Sequence, residues 1–288
     1  MKKSKLSNII SLKYLKRGIL MMLPGILCSQ LSAQDRWVSN FIDTLINNQA
    51  EEKMIQVDTI NPQFGVLLSI RAHIVSSEDG FTHFTVGDLQ QGLDWANQYF
   101  KKISIQFHYS SIDTIPEYEY GYITGRDSTV EMEVKYMRKE FIDLFLVDSI
   151  CIMNQLIRGY ASFPGDTVHS LICMVKTVAG GKTLTQLLGN FFGLLDTHER
   201  TGGAEHVNED NCDSSGDFIC DTWADPGILG VGENCQYPGG PKDANGEFYV
   251  PSVANLMSNA PDDCKCIFTM DQYRRMLYYY QNFRAGLK

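Results

Sequence analysis

Apolar positions along the chain change period several times, and each change marks an element boundary. Leu67–Val75 reads as a strand bounded by the turn around Asp79-Gly80. Thr85 with Asp88 three residues on is a helix-start signature, and beyond it Leu89, Leu93, Ala96 and Phe100 form one apolar stripe over Val86–Lys101. Ile103, Ile105, Phe107 and Tyr109 then alternate with polar residues, the mark of a half-buried strand. A second helix is predicted over Thr129–Lys139 and a strand over Phe141–Val147. Gly159–Pro164 reads as an edge strand, and Val168–Val175, apolar nearly throughout, as a central buried one. Helices follow at Leu184–Leu194 and from Thr269, where Gln272 is a capping partner and Tyr273, Met276, Leu277, Tyr280 and Phe283 face inward. Strands alternating with helices predict an α/β lobe with a mostly parallel sheet. Residues 34–64 form a polar leader without a firm pattern, and 197–266 are rich in Gly, Asp, Asn and Pro with little periodicity.

A chain of 288 residues, 44% hydrophobic, suits one globular domain or two small lobes. Residues 1–33 stand apart. Lys2, Lys3, Lys5, Lys13, Lys16 and Arg17 precede a short apolar run, Gly18–Leu27, and Leu31-Ser32-Ala33 offers a cleavage site, which together predict a secretory signal peptide. The run is too short for a membrane anchor and Pro24 interrupts it. A lipid-modified Cys28 is disfavoured by the bulky Leu27 before it. Removing the segment takes six basic residues and no acidic one, so the formal charge moves from −9 to −15. That balance argues against nucleic acid and anionic membranes, and is compatible with calcium, basic partners or plain solubility. Seven cysteines remain: Cys151, Cys173, Cys212, Cys220, Cys235, Cys264 and Cys266. In an exported chain they predict disulfides with at least one thiol left over, concentrated in a loop-rich lobe.

Several strings then point one way. They are IDLFLVDSI (142–150), GYASFPGD (159–166), KTLTQLLGNFFGLLDTHE (182–199), NCDSSGDFICDTWADP (211–226) and NLMSNAPDDC (255–264). In order and spacing the chain resembles the pappalysin-like metzincins, zinc metallopeptidases whose active-site helix carries H-E-x-x-H-x-x-G-x-x-H, followed later by a Met-turn. The resemblance implies a metzincin-like α/β (α+β) fold: an upper lobe (65–196) with a twisted, mostly parallel sheet and two long helices, and a loop-rich, disulfide-stapled lower lobe (197–288) with the C-terminal helix. Residues 34–64 would be an N-terminal leader or short pro-segment. Met257 would be the Met-turn methionine, and the bridges would be Cys212–Cys235 and Cys220–Cys264, with Cys151, Cys173 and Cys266 unassigned. Relatives can hold calcium in the lower lobe, where Asp213, Asp217, Asp221 and Asp225 supply hard oxygen donors; a solvated acidic loop is the competing reading.

The frame survives in Gly189, Gly193, Leu194 and Thr197, while the chemistry does not. Gln186 and Asn190 stand at the first two ligand positions, Asp196 at the third, and Leu187 where the glutamate belongs. Amide oxygens are poor zinc donors beside imidazole nitrogen, and Leu187 has no proton-accepting atom. Asn259, two after Met257, stands where relatives commonly carry a tyrosine. Each substitution also has a structural reading: Gln186 as capping partner of Thr183, Leu187 as core, Asn190 hydrogen-bonded to Asp196. A makeshift metal site from Asp196, His198 and His206 is conceivable, but nothing in their spacing demands it. No Gly-x-Ser-x-Gly or cysteine–histidine pairing supports a nucleophilic enzyme.

The sequence therefore predicts an exported protein, whether periplasmic, surface-held or secreted, that lacks catalytic zinc and takes a peptide or protein segment in its cleft. It expects no nucleic-acid partner and no membrane insertion after signal removal. An active zinc peptidase with an unusual ligand set and a calcium-dependent structural module are the alternatives.

Overall fold

The computed structural model describes residues 34–57, 65–82, 84–125, 129–166, 170–228, 231–232 and 234–288. The signal-peptide expectation for 1–33 lies outside them. The elements are α1 (Gln34–Glu52), β1 (Val66–Val75), α2 (Val86–Phe100), β2 (Ile105–Ile115), β3 (Tyr122–Ile123), α3 (Val130–Tyr136) and β4 (Ile142–Val147). Then come β5 (Ser149–Ile152), β6 (Gln155–Leu156), β7 (Gly159–Ala161), β8 (Leu171–Val175), α4 (Thr183–Phe191) and α5 (Met270–Tyr279), which runs into a π-helical turn over Tyr280–Arg284. Among the described residues no helix is long and apolar enough to cross a membrane.

The main sheet has the order β2-β1-β4-β8-β7, parallel throughout except for β7, which pairs antiparallel with β8 at one edge. That is the predicted mostly parallel sheet, and the apolar runs of β4 and β8 sit in its buried centre. One face packs Leu68, Ile70, Leu144 and Ile172 against Leu93 and Phe100 of α2 and Leu184 and Leu188 of α4, a core that continues to Met257. The other face packs Phe145, Val147 and Cys173 on Ile123, Met132 and Ile150. Three strands are also tied by His73 on β1, whose ring nitrogens lie 2.6 Å from Asp113 Oδ1 on β2 and 2.9 Å from Asp143 Oδ1 on β4.

Helix starts match their sequence signals. Thr85 Oγ1 accepts from Asp88 N, and Thr269 with Gln272 completes a capping box. The implied pair of long helices is only half realised, because α4 has nine residues against fifteen in α2. Its early stop has a local cause. Leu194 N donates to Gly189 O and Gly193 N to Asn190 O, the two bonds of a Schellman ending, with Gly193 at φ +92.

The leader departs from expectation. Residues 34–52 are helical, and Phe41, Ile42 and Leu45 are buried on a cluster with Phe163, Leu195, Phe218, Tyr278 and Tyr279. Phe41 stacks on Phe163 at 4.7 Å. At the end of α1, Glu52 Oε2 accepts from Arg275 Nε at 2.9 Å with both side chains almost wholly buried. Arg275 also donates to the carbonyls of Asp217 and Phe218, so one guanidinium joins α1, α5 and the lower-lobe loops.

The disulfide pattern corrects the implied pairing. The bridges are Cys212–Cys220 and Cys235–Cys264, not Cys212–Cys235 and Cys220–Cys264. Positive φ at Gly216 and Phe218, with Asp217 Oδ1 accepting from Ile219 N, folds 212–220 back on itself and brings the two Cα atoms to 5.0 Å. Local closure of a short loop is entropically cheap, which leaves Cys235 to meet Cys264. Cys151, Cys173 and Cys266 lie outside both bridges.

Candidate active-site cleft

The cleft is built where α4 passes beneath the edge strand β7 and the chain turns at Gly193. Leu187 is buried, and its Cδ1 lies 2.6 Å from the place a β-carbon on Gly159 would take, so this side chain wedges helix against edge strand. Met257 lies fully buried beneath the helix, its sulfur 2.7 Å from where a Gly189 β-carbon would sit. A larger residue at 189 would displace the thioether of Met257. Thr197 N donates to Met257 O, fixing the segment after the glycine turn over the same methionine. Asn255 holds this turn from behind: its Oδ1 accepts from Met257 N, and its amide exchanges two bonds with Gln272.

At the three ligand positions the side chains are committed to one another or to backbone. Gln186 Nε2 donates to Asp196 Oδ1 at 2.8 Å, and Lys265 Nζ donates to Gln186 Oε1 at 2.8 Å. The amide orientation is dictated by its partners, since an ammonium can only donate and an ionised carboxylate only accept. Asn190 Nδ2 instead donates to Leu194 O at 3.0 Å. Two expectations are thereby corrected. Gln186 does not act as capping partner, because the helix N-cap is Lys182 and carries no side-chain cap bond. Asn190 does not reach Asp196, because the Schellman ending puts the Leu194 carbonyl within closer reach.

Nothing in the sequence marks Lys265, which stands between Cys264 and Cys266. It is 1% exposed, and burial, only partly offset by Asp262 and Asp196, pulls its ammonium down to about 8. Asp262 Oδ1 lies 3.9 Å away and is itself engaged by Arg158. Lys182 Nζ donates to the carbonyls of Asp262 and Lys265, anchoring the loop that delivers the ammonium. Asn259, at the tyrosine position, is exposed.

Zinc does not suit this donor set: two amides already hydrogen-bonded, one carboxylate, and a buried ammonium on the first amide. The makeshift alternative is not assembled. His206 Nδ1 faces Asp210 at 2.6 Å, His198 Nδ1 is buried without a hydrogen-bond partner, and no three His, Cys, Asp or Glu among the described residues converge as a metal group.

The four aspartates are likewise used separately. Asp213 gives its backbone carbonyl to Gln49, Asp221 Oδ2 accepts from Asp271 N, and Asp225 accepts from Thr197 Oγ1 and Gly227 N. Asp217 alone of the four keeps a buried oxygen, Oδ2, without a partner. Glu205, which the sequence reading passed over, has both carboxylate oxygens buried and unpartnered. Burial first, then the neighbouring Asp217, pushes the Glu205 carboxyl up to about 9, and burial pushes Asp217 up to about 7.

Searches against family models and curated proteins returned no match. Solved structures did match. A promirolysin mutant of Tannerella forsythia aligns at 14% identity over 90% of this chain and 94% of its own, with a TM-score of 0.58. Mirolysin in complex with a compound aligns at 17% identity over 77% and 95%, TM-score 0.54. Mature mirolysin of T. forsythia with a cleaved peptide aligns at 16% over 74% and 90%, TM-score 0.51. The fold is metzincin-like and shared with these mirolysin structures. At these identities the likeness speaks to architecture, so the chemistry of the metzincin-like cleft has to be argued from the residues it contains.

Proposed function

We propose that this chain is an exported metzincin-like protein without peptidase activity, whose cleft binds a peptide or protein segment without cutting it. The observation that carries the reading is the hydrogen-bond chain Lys265–Gln186–Asp196 together with buried Leu187. Those side chains hold each other where a peptidase of this fold needs a metal, and an aliphatic group stands where a proton must be taken from water. Peptide binding is supported by the antiparallel edge strand β7 beside α4, which can accept an extended segment by strand addition. One solved neighbour is described with a cleaved peptide, in keeping with such a cleft. The two disulfides fit an oxidising compartment.

Calcium is a second part of the proposal, with its donors revised. The buried, unpartnered oxygens of Glu205 and Asp217 give a hard cation two carboxylates, and a cation there would remove the cost of burying them.

Elemental analysis and a proteolysis assay on the purified mature protein test the main reading. It expects no stoichiometric zinc and no cleavage of casein or gelatin. Zinc at one per chain with chelator-sensitive proteolysis would establish the active-peptidase alternative instead.

A further inference from the structure

We propose that the ammonium of Lys265 is the resident cation of this cleft, tying α4 and the chain after its glycine turn, the two segments that carry the ligand positions, to the loop after the methionine turn. The inference rests on the reading of the cleft as free of zinc and adds the device that keeps it folded without one.

Three segments meet at this point: α4 through Gln186, the chain after the Gly193 turn through Asp196, and the loop after the methionine turn through Lys265. Backbone bonds from Thr197 N to Met257 O and from Leu194 N to Gly189 O hold the neighbouring turns, and the polar side chains between them need partners of their own. Without a cation, the Gln186 amide oxygen and the Asp196 carboxylate would invite water into the gap between the lobes. The ammonium supplies what is missing. It brings a positive charge toward Asp196 through the polarised amide of Gln186, at two bonds of 2.8 Å each.

The lysine is built in rather than merely nearby. Its side chain is 2% exposed, and its own carbonyl is gripped by Nζ of Lys182, the N-cap residue of α4. Lys182 N is in turn held by Asp262 Oδ2 at 2.7 Å, so the helix start and the lysine loop share one carboxylate. Arg158, just before β7, reaches Asp262 Oδ1 at 2.9 Å and extends the network to the edge strand. An ordinary surface lysine has no such scaffold around it.

A positive charge in this place also opposes any incoming metal ion. This separates a cation role from a simple packing role, because a packing role predicts no effect on metal affinity. The test uses the full mature chain carrying Gln186→His, Leu187→Glu, Asn190→His and Asp196→His, with Lys265 either kept or changed to Met. Zinc affinity is read by competition with a chromophoric chelator. Removing the ammonium should tighten zinc binding at least about tenfold. Equal affinities in the two backgrounds, or no zinc uptake in either, would overturn the role given to Lys265. Zinc in the unaltered protein would overturn it together with the functional reading; zinc-free unaltered protein with equal affinities would remove Lys265 alone.

A second measurement avoids the multiple variant. Side-chain ammonium NMR of the unaltered protein, in slightly acidic buffer, should show an exchange-protected signal of Lys265, beside those of buried Lys176 and Lys182, that is lost in Lys265→Arg and in Gln186→Leu. A Lys265 signal without protection, or one unchanged by Gln186→Leu, contradicts the proposal.

Discussion

Replacing Glu52 by Ala is the sharpest test of how the N-terminal helix belongs to the fold. The substitution removes the counter-charge of Arg275 and leaves that guanidinium 2% exposed, still bonded to the carbonyls of Asp217 and Phe218. Breaking a buried pair from one side costs about 3–5 kcal/mol, because the surviving charge stays buried without compensation. For a body of this size each kcal/mol moves the melting temperature by about 2–4 °C, so a fall of about 6–20 °C is expected. Glu51→Ala is the internal control. Its carboxylate accepts one bond from Tyr278 OH at 2.9 Å from an exposed position, worth about 1 kcal/mol or less. Calorimetry and urea unfolding on both variants read the difference. Equal melting temperatures for the two would mean that α1 is not locked into the body by Arg275, and that the helix is a detachable leader.

Other consequences can be checked with the same material. Gly193→Ala puts a β-carbon 2.5 Å from the Tyr279 ring at a φ of +92, so it should destabilise by about 2 kcal/mol or more in thermal melts; an unchanged melt would contradict the turn geometry. Non-reducing peptide mapping should find Cys212 linked to Cys220 and Cys235 to Cys264; the crossed linkages would overturn the lower-lobe description. Without calcium, stability should fall as pH rises. Glu205 and Asp217 are raised from 4.5 to about 9 and from 3.8 to about 7, so the folded protein holds more protons than the unfolded chain across that window. Added calcium should flatten the slope in urea titrations, and a calcium-independent slope would remove the cation from the account.

Much of the fold was legible because it depends on periodicity. The apolar runs of β4 and β8, the stripe of α2 and the caps at Thr85 and Thr269 are local signals, and each element formed where its signal lay. The missed helix α1 was not silent either: Val38, Phe41, Ile42 and Leu45 have helical spacing, masked by an otherwise polar stretch. What it packs against, Phe163 and Arg275 among others, is far away in sequence and carries no local mark.

The cleft divided along the same line. The absence of histidines and glutamate is written at fixed spacing, so Gln186, Leu187, Asn190 and Asp196 could be found by eye. Which group would answer Gln186 could not, because Lys265 lies 79 residues away on a loop. Disulfide pairing failed for a related reason: connectivity depends on how the 212–220 loop folds back, and four cysteines permit several pairings. Glu205 is an acidic residue in an acidic loop until burial singles it out.

On the reading proposed above, the metzincin-like scaffold claims an internal lysine, and no zinc, for its cleft. Metal content by mass spectrometry of the natively purified mature chain, taken beside its activity on unfolded protein substrates, meets that claim head-on. The account predicts far less than one zinc per chain and intact substrate. A stoichiometric transition metal in a sample that digests casein, with both lost on chelation, would contradict it.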